Sequence, residues 1–489
     1  MGENDGGMAS GTRQFDAALK VMGELRAAGH EAYLAGGCVR DLLLGREPKD
    51  YDVATSATPD VVLKLFKRTF AVGAHFGVVL VADSDDDGYV TTEVATFRSD
   101  GAYSDGRHPD AVRYTASAEE DVRRRDFTIN GLLLDADRLF PQGVESTTHP
   151  SHKDKDVARV GHPARNSWVR DALRAAVIDH VGGLADLDAG VIRAIGRPDA
   201  RFEEDRLRML RGVRFAARFG FEIEAGTAAA MRRLAAKIKS VSRERVRDEL
   251  TKMLTEGRSR RAFELLDQTG LLAEVLPEIA RMKGVEQPAQ FHLEGDVWVH
   301  TLGLLDQLEA GCPRTLAWGA LLHDVGKPPT FRRAPDRIRF DGHVEVGVAM
   351  GAEICRRFRF SNDETRQILS LIENHMRFAD AARMKASTLK RFFRLEGFEE
   401  HLALHRMDCV AGSGNLEHWE FVRERWESMP EEAVRPRPLI TGRELIAAGY
   451  QPGAAFKEML RAVEDAQLEG LIQTADEALK LVTGRFPLA

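Results

Sequence analysis

The sequence has few cysteines and no long apolar run. Its four cysteines, at positions 38, 312, 355 and 409, are scattered without CxxC spacing. This pattern argues against a zinc finger and indicates a reducing compartment. No apolar run approaches the roughly 18 residues that a transmembrane helix requires, and no signal peptide is recognisable. We therefore predict a cytoplasmic protein without a membrane partner.

An excess of positive charge is also absent. The chain carries 69 lysines and arginines against 76 aspartates and glutamates, a formal net charge of −7. Any nucleic-acid binding must therefore depend on local basic patches rather than on overall charge. At 489 residues the chain is too long for one hydrophobic core, so we expect three or more domains.

The stretch 35–55, AGGCVRDLLLGREPKDYDVAT, has two carboxylates in a pattern that predicts a metal site. In an extended strand, residues i and i+2 face the same side, so Asp50 and Asp52 would project together, with Tyr51 on the other face. Adjacent carboxylates repel each other unless a cation lies between them. Mg²⁺ suits this place because it takes oxygen ligands and leaves room for phosphates. The alternative is a solvated acidic loop.

A glycine pair precedes these carboxylates. Gly36 and Gly37 would let the backbone approach a phosphate closely, and Arg40 would neutralise it. Glu93, on a predicted strand over 90–97, is a candidate third metal ligand, and a surface charge on that strand is the equal alternative. Together these residues predict a nucleoside-triphosphate site that uses metal ions.

Three polar segments interrupt the predicted elements. Residues 1–13 are glycine-rich and are predicted to be disordered. Residues 98–114 suit a mobile loop beside a site. Residues 141–169 are predicted to form an inserted loop, and we attribute its histidines to chance.

The predicted helix over 204–219 has a basic row beside an apolar one. The apolar row contains Leu207, Leu210 and Val213, and the basic row contains Arg208, Arg211, Arg214 and Arg218. The members of each row are three or four residues apart, so they share one face of a helix. Four like charges in one row repel each other, which favours a face directed at an anion over a solvated face. Further basic residues between 232 and 247 would follow a phosphate backbone.

A second group of potential metal ligands lies in a predicted helical region. It comprises His300, His323, Asp324, His343, His375 and Asp408. Helical bundles build metal sites from inward-facing side chains on several helices. Imidazole ligands suit transition metals better than Mg²⁺, so we predict Mn²⁺, Ni²⁺ or Fe²⁺, as one ion or two. The alternative is a scaffold whose histidines are satisfied by hydrogen bonds.

Five motifs in order give the chain a specific resemblance. The motifs are GGCVRDLLLG with DYD, RRDFTIN, DHVGGLADL, EEDRLRMLRGVRF and SRERVRDEL. After residue 13 the chain resembles the bacterial class II tRNA nucleotidyltransferases, the family of CCA-adding enzymes and poly(A) polymerases. The histidine and aspartate group resembles an HD-type metal-dependent phosphohydrolase domain, which some members carry C-terminally.

The resemblance implies a role for each motif residue. Asp50 and Asp52 would hold two Mg²⁺ ions that align the 3′-hydroxyl of the RNA with the α-phosphate and neutralise the pyrophosphate. The implied nucleotide-binding residues are Gly37 and Arg40 for the triphosphate, Arg125 and Asp126 for the ribose, Asp205 and Arg208 for the base edge, and Arg211 and Arg214 for phosphate or neck packing.

The resemblance also implies an α+β fold. A small polymerase-β-like nucleotidyltransferase head would be followed by an all-α neck, an HD domain and a helical tail. The predicted boundaries are 1–13 for a disordered lead, 14–177 for the head with its insert at 141–169, 178–283 for the helical neck or RNA-binding region, 284–430 for the HD domain and 431–489 for the tail.

The function implied by the resemblance is template-independent addition of CCA to tRNA 3′ ends from CTP and ATP. The expected partners are tRNA and these nucleotides, with no DNA. Segment 73–78 looks like the CCA-adding type, and loop 98–114 is similar to a flexible element needed for A addition. Alternatives within the family are an A-only tRNA nucleotidyltransferase and a poly(A) polymerase. Alternatives from other classes are an HD phosphohydrolase whose head only binds nucleotide, and a non-catalytic RNA-binding protein.

Overall fold

The computed structural model describes residues 5–70, 77–85, 88–100, 112–139, 167–287, 295–335 and 337–488. Segment 73–76, most of loop 98–114 and residues 141–166 of the predicted insert lie outside the described residues. Backbone contacts divide the chain into two compact units. The first comprises Met1–Ser242 with Gln268–Glu274, and the second Arg243–Asp267 with Val275–Ala489. The domain boundaries proposed from the sequence stay predictions.

A seven-stranded mixed sheet forms the head of the first unit. The strands of this unit are β1 (Ala32–Ala35), β2 (Asp52–Thr55), β3 (Thr69–Phe70), β4 (Val78–Asp85), β5 (Gly88–Thr96), β6 (Arg98–Asp100), β7 (Val112–Tyr114), β8 (Leu132–Leu134), β9 (Val177–Asp179), β10 (Val191–Ile192) and β11 (Glu222–Ile223). The order in the large sheet is β3-β4-β5-β2-β1-β8-β9. Every neighbouring pair in it is antiparallel except β2 and β5, which run parallel.

Helices pack on this sheet and continue beyond it. Those of the head and neck are α1 (Asp5–Ala27), α2 (Gly37–Leu43), α3 (Pro59–Leu65), α4 (Ala118–Arg123), α5 (Ala136–Leu139), α6 (Ser167–Ala176), α7 (Gly183–Ala189), α8 (Pro198–Glu204), α9 (Leu207–Phe219), α10 (Ala225–Leu234), α11 (Arg243–Thr255), α12 (Ser259–Gln268), α13 (Leu271–Val275) and α14 (Pro277–Ala280). Mixed sheet followed by helices confirms the predicted α+β class.

The second unit is helical apart from one short hairpin. Its further elements are α15 (Val297–Asp306), α16 (Arg314–Leu322), α17 (Lys327–Thr330), β12 (Arg332–Arg333), β13 (Ile338–Arg339), α18 (His343–Arg357), α19 (Asn362–Asn374), α20 (Ala386–Phe392), α21 (Phe398–Ala411), α22 (Glu417–Ser428), α23 (Glu431–Val434), α24 (Gly442–Ala447), α25 (Ala455–Leu468) and α26 (Ala475–Arg485). No helix among the described residues is long and apolar enough to span a bilayer.

Several local expectations differ from the structure. Helix α1 begins at Asp5, within the stretch predicted to be disordered, because a helix fixed by its packed part extends at low cost. Strand β9 lies across the boundary at 177/178 that the sequence suggested for the head. The apolar run that follows the motif RRDFTIN forms β8 after a single 3-10 turn at Thr128–Asn130, because pairing with β1 and β9 buries all three leucines of β8.

The helix predicted over 204–219 is broken at Asp205. Helix α8 ends at Glu204, Asp205 is extended with φ −141°, and α9 begins at Leu207. The Asp205 carboxylate accepts the backbone N–H of Leu207 at 3.0 Å. Aspartate favours such local bonds over helix continuation, which explains the break.

The four cysteines carry free thiols. Cys38 and Cys355 are buried, and Cys312 and Cys409 are partly buried. Burial raises the pKa of both the Cys38 and the Cys355 thiol to about 12. Cys38 lies on α2, and its thiol donates to the carbonyl oxygen of Ala35 on β1 at 3.3 Å.

Candidate active sites

Three carboxylates meet at the edge shared by β2 and β5. Asp52 is the first residue of β2, and the parallel register places it opposite Glu93 on β5. Asp50 is exposed two residues earlier, while Tyr51 between them is buried, as the alternation of an extended segment predicts. Asp52 and Glu93 line a cavity of about 280 Å³. The structure therefore brings the two predicted ligands and the candidate third one into the same region.

The electrostatics of this cavity favour a bound cation. Burial, then the charges of Glu93 and Asp50, raise the pKa of Asp52 to about 6, against an opposing effect of Arg125. Burial and Asp50 also raise the pKa of Glu93, although its side chain keeps contact with solvent. Hard divalent cations prefer carboxylate oxygens. These residues therefore fit an Mg²⁺-type ion.

Replacing Asp52 with asparagine should stabilise the metal-free protein. A carboxyl whose folded pKa is raised stabilises the fold below its unfolded pKa, and this contribution is lost as pH rises through about 6. A shift of about two units corresponds to about 3 kcal/mol. In EDTA at pH 8 we expect D52N to melt above the wild type, with the gap closing near pH 4. The exposed Asp60 on α3 supplies the control D60N, which should melt like the wild type. An equal gap at both pH values would contradict the prediction.

Three arginines belong to the wall of the cavity. They are Arg98, Arg124 and Arg125, which line the same cavity as Asp52 and Glu93. Arg124 and Arg125 both donate to Asp121, at 2.6 and 3.1 Å, which fixes the two guanidinium groups. Only Arg125 was named from the sequence. The RRRD run pointed to its neighbour Arg124 as well, whereas Arg98 is far away in sequence and gave no signal.

The glycine turn before α2 is held tightly against this arginine pair. Gly36 has φ 76°, and a Cβ there would lie 2.7 Å from Arg125 Nη1. Both the left-handed backbone conformation and the close contact therefore favour glycine at this position. Arg40, predicted to contact phosphate, is buried and faces inward. It donates to Asp41 Oδ1 at 2.8 Å, and its guanidinium lies 4.7 Å from the ring of Phe219. Its phosphate role stays a prediction.

Asp126 is also buried rather than directed into the cavity. Its Oδ1 accepts the backbone N–H of Phe127 at 2.8 Å and the amide of Asn130 at 3.0 Å, while Oδ2 accepts Arg211 Nε at 2.8 Å. Burial alone would raise the pKa of Asp126, but Arg211, Asn130 and Arg208 hold it well below its usual value. In this structure the carboxylate joins the head to α9, and its ribose role stays a prediction.

The predicted base-reading pair lies at the start of α9. Arg208 donates to Glu204 Oε2 at 2.7 Å and to the backbone oxygen of Arg124 at 3.0 Å. The side chain of that same Arg124 lines the metal cavity. The start of α9 therefore lies directly beside the cavity.

The basic row of α9 faces protein groups of its own unit. Arg211 pairs with Asp126, and the buried Arg214 lies 4.3 Å from the ring of Phe215. The row therefore meets carboxylates and aromatic faces, both of which attract a guanidinium. Its partners were not visible in a pattern of helical spacing alone.

The second unit brings all six predicted metal ligands together. Two groups each have ligand atoms within 4.8 Å of one another: His300, His323 and Asp408, and Asp324, His343 and His375. They come from α15, the end of α16, α18, the end of α19, and α21. Asp324 connects the two groups, with Oδ2 3.1 Å from His323 Nε2 and Oδ1 3.7 Å from His375 Nε2.

Three of the imidazoles are oriented as metal ligands require. The Nδ1 atoms of His323, His343 and His375 lie 2.9, 3.0 and 2.7 Å from the carbonyl oxygens of Ala320, Phe340 and Ile372. A proton on Nδ1 leaves Nε2 as a bare acceptor. Burial lowers the pKa of His375 to about 4, so that imidazole is neutral near pH 7.

Four buried acceptor atoms converge without a hydrogen-bond partner in the described part of the chain. They are His323 Nε2, His343 Nε2, His375 Nε2 and Asp324 Oδ1. Unsatisfied buried acceptors are costly, and only a cation can satisfy several at once. Lys327 Nζ lies 2.6 Å from Asp324 Oδ2 and 2.6 Å from Gln287 Oε1. The lysine therefore pairs with the other oxygen of the Asp324 carboxylate and leaves Oδ1 without a hydrogen-bond partner among the described residues. The residue set fits a divalent metal ion.

Comparisons with known proteins agree with this geometry. The family model of the "Poly A polymerase head domain" matches residues 32–149, that of the "Probable RNA and SrmB- binding site of polymerase A" matches 220–283, and the HD domain model matches 297–409. The chain is thus a nucleotidyltransferase of the poly(A) polymerase type joined to an HD domain. The sheet with its paired carboxylates and the helical HD centre agree with this class.

Full-length relatives narrow this class. The chain is 30% identical over 467 residues to a CCA-adding enzyme of Levilactobacillus brevis, covering 95% of this chain and 96% of that protein. It is 36% identical over 318 residues to a CCA-adding enzyme of Latilactobacillus sakei, covering 64% and 70%. The crystal structure of the Bacillus stearothermophilus CCA-adding enzyme in complex with CTP matches with a TM-score of 0.67 and 26% identity, over 96% of this chain and 98% of that one. The chain belongs to the CCA-adding enzyme family of tRNA nucleotidyltransferases, which confirms the predicted resemblance.

Proposed function

We propose that this chain adds C, C and A to the 3′ ends of tRNA from CTP and ATP, without a nucleic-acid template. The observation that carries the proposal is a cavity lined by Asp52, Glu93 and three arginines, with Asp50 near enough for its charge to act on both carboxyls, in a member of this family. The proposed substrate, tRNA, is matured in the cytoplasm of bacteria, so we place the enzyme there.

The reaction is an in-line displacement at phosphorus. The 3′-hydroxyl of the RNA gives up its proton to solvent and its oxygen forms a bond to the α-phosphorus. The bond from that phosphorus to the oxygen bridging to the β-phosphate breaks, and pyrophosphate leaves with the electron pair. Mg²⁺ held by Asp50 and Asp52 would supply charge neutralisation for the attacking and leaving oxygens. Arg98, Arg124 and Arg125, which line the same cavity, would offset the negative charge of the triphosphate.

Base choice is assigned to Asp205 and Arg208. A carboxylate accepts from an exocyclic amine, and a guanidinium donates to ring and carbonyl acceptors. Cytosine and adenine both present an amine beside an acceptor, whereas uracil and guanine do not in that order. The position of Arg208 against the backbone of Arg124 supports this assignment. Gly37 and Arg40 would contact the triphosphate, Arg125 and Asp126 the ribose side, and Arg211 and Arg214 would hold phosphate or the neck.

Two tRNA transcripts test the proposal. One ends before the CCA sequence and the other after CC, and each is incubated with a single nucleotide. We expect CTP to be added to the first and ATP, once, to the second. Addition to the second transcript alone would identify an A-only enzyme. Long A tails would identify a poly(A) polymerase.

Replacing Asp205 with alanine should relax discrimination against UTP more than it slows CTP addition. A site built on polar pairing strongly rejects a base with mismatched groups, and D205A removes the acceptor. Single-turnover incorporation of CTP and UTP measures the preference. The neighbouring exposed Glu203, which pairs with Lys237, provides the control E203A. An unchanged preference in D205A would remove Asp205 from the template role.

A second activity is proposed for the HD centre. Two neighbouring groups of ligands, with four acceptor atoms that lack a hydrogen-bond partner in the described part of the chain, support binding of Mn²⁺, Ni²⁺ or Fe²⁺. A bound ion would supply Lewis-acid activation for phosphoester hydrolysis, for example of a 2′,3′-cyclic phosphate at a damaged RNA end. The six predicted ligands, His300, His323, Asp324, His343, His375 and Asp408, would hold one ion or two. The Nδ1 contacts of His323, His343 and His375 fix the orientations of those rings.

A further inference from the structure

The side chain of Asn130 lies between helix α9 and the sheet that carries the metal carboxylates, and the proposed reaction needs a fixed distance between these two elements. We propose that Asn130 is a positioning residue that holds helix α9, and with it the base-reading pair, at a fixed place relative to the metal carboxylates. Asn130 touches neither nucleotide nor metal in this role. The inference rests on the proposed function, because it concerns the template site that the function requires.

Both polar groups of this buried amide are used. Asn130 Oδ1 accepts from Arg40 Nη1, and Asn130 Nδ2 donates to Asp126 Oδ1 at 3.0 Å. Arg40 can only donate, and an ionised Asp126 can only accept. An amide is the side chain of this size that offers an acceptor to one neighbour and a donor to the other.

Each end of this connection reaches α9. On one side, Asp126 Oδ2 accepts Arg211 Nε at 2.8 Å. On the other, the Arg40 guanidinium lies 4.7 Å from the ring of Phe219 and 5.2 Å from that of Phe215. These contacts at Arg211, Phe215 and Phe219 extend over two turns of α9, so they restrict both its translation and its tilt.

The opposite side of the network is attached to the catalytic sheet. Asn130 directly precedes Gly131 and β8, and β8 pairs with β1, which pairs with the site strand β2. Helix α9 also packs very closely here, since a Cβ on Gly212 would lie 2.8 Å from the ring of Phe127. A change at Asn130 is therefore transmitted between the base-reading pair and Asp52.

Two substitutions separate the two halves of the connection. Asn130→Asp keeps an acceptor for Arg40 but replaces the donor to Asp126 with a second carboxylate. Asn130→Ala removes both contacts. We expect the preference for CTP over UTP, as a ratio of kcat/KM values, to fall about tenfold or more in both variants, which corresponds to the loss of one or two buried hydrogen bonds.

A control variant that loses stability at another buried site distinguishes an effect of positioning from a general loss of stability. Thr227 is fully buried on α10, and its hydroxyl accepts the backbone N–H of Ala194 at 3.2 Å. Thr227→Val should lower the melting temperature but leave the CTP-to-UTP ratio unchanged. Equal ratios in wild type, N130D and N130A, or a ratio that falls equally in T227V, would overturn the inference.

Equilibrium binding of CTP and UTP, measured without RNA, tests the inference independently of catalytic turnover. If the wild type prefers CTP in binding but adds none to tRNA, the proposed function fails, and the binding ratios of the Asn130 variants still decide the inference. If the wild type adds CTP and the variants keep its binding preference, only the inference fails. A wild type that adds CTP but binds both nucleotides equally would overturn the inference and leave the proposed function intact.

Discussion

Replacing Asp52 with alanine should reduce CTP incorporation roughly a thousandfold or more, because a lost ligand costs several kcal/mol of transition-state stabilisation. Asp52 is coupled to the carboxylates around it, since burial and then the charges of Glu93 and Asp50 raise its pKa. Single-turnover incorporation on a tRNA transcript ending before CCA provides the measurement.

The control for this prediction is the exposed Asp60, in the first turn of α3. D60A removes a carboxylate from the same unit and should retain wild-type incorporation. Circular dichroism establishes that both variants fold. Incorporation by folded D52A within tenfold of the wild type would place the catalytic metal site elsewhere in the chain. Since D52N is also expected to stabilise the metal-free protein, loss of activity by unfolding is not the expected result.

The double substitution of His323 and Asp324 by alanine should abolish phosphodiesterase activity and leave CTP and ATP addition intact. Asp324 lies next to both ligand groups of the HD centre, and His323 Nε2 is one of the four unsatisfied acceptors. A generic phosphodiester substrate measures the first activity, and tRNA extension measures the second. Elemental analysis after soaking in Mn²⁺ or Ni²⁺ measures the metal content.

A buried histidine outside the centre provides the control for this pair. His401 on α21 is buried, and its Nε2 lies 3.3 Å from Ser370 Oγ. H401A should retain both the metal and the phosphodiesterase activity. If wild-type protein retains no more metal than the double variant, the HD domain serves only as a scaffold. If metal is retained but no phosphodiester is hydrolysed, the ion has another role.

The parts of the sites that follow from local geometry were predictable. Asp50 and Asp52 are two residues apart, and the alternation of an extended segment is enough to place both beside one cavity. The HD ligands are recognisable because histidine and aspartate rarely recur in apolar helices without a reason. Glu93 was only a candidate, because its pairing with Asp52 depends on the register between strands far apart in sequence.

The direction of individual side chains required the folded structure. The motifs place Arg40 and Asp126 near a nucleotide, yet both side chains bond to protein groups. Whether a guanidinium meets a phosphate or an aromatic ring depends on which helix packs beside it. Asp205 is a further example. The helical periodicity over 204–219 gave no indication that one local hydrogen bond of Asp205 interrupts the helix there.

The burial of Cys38 has a consequence for redox chemistry. Burial raises the pKa of its thiol to about 12, which keeps the sulfur protonated at neutral pH, and the thiolate is the form that peroxide and alkylating reagents attack. The sulfur lies 4.0 Å from the backbone oxygen of Asp52, so an oxidised or alkylated Cys38 would displace the strand that carries the metal ligand. The folded head therefore holds the Cys38 thiol in its protonated form, which reacts slowly with oxidants and alkylating reagents.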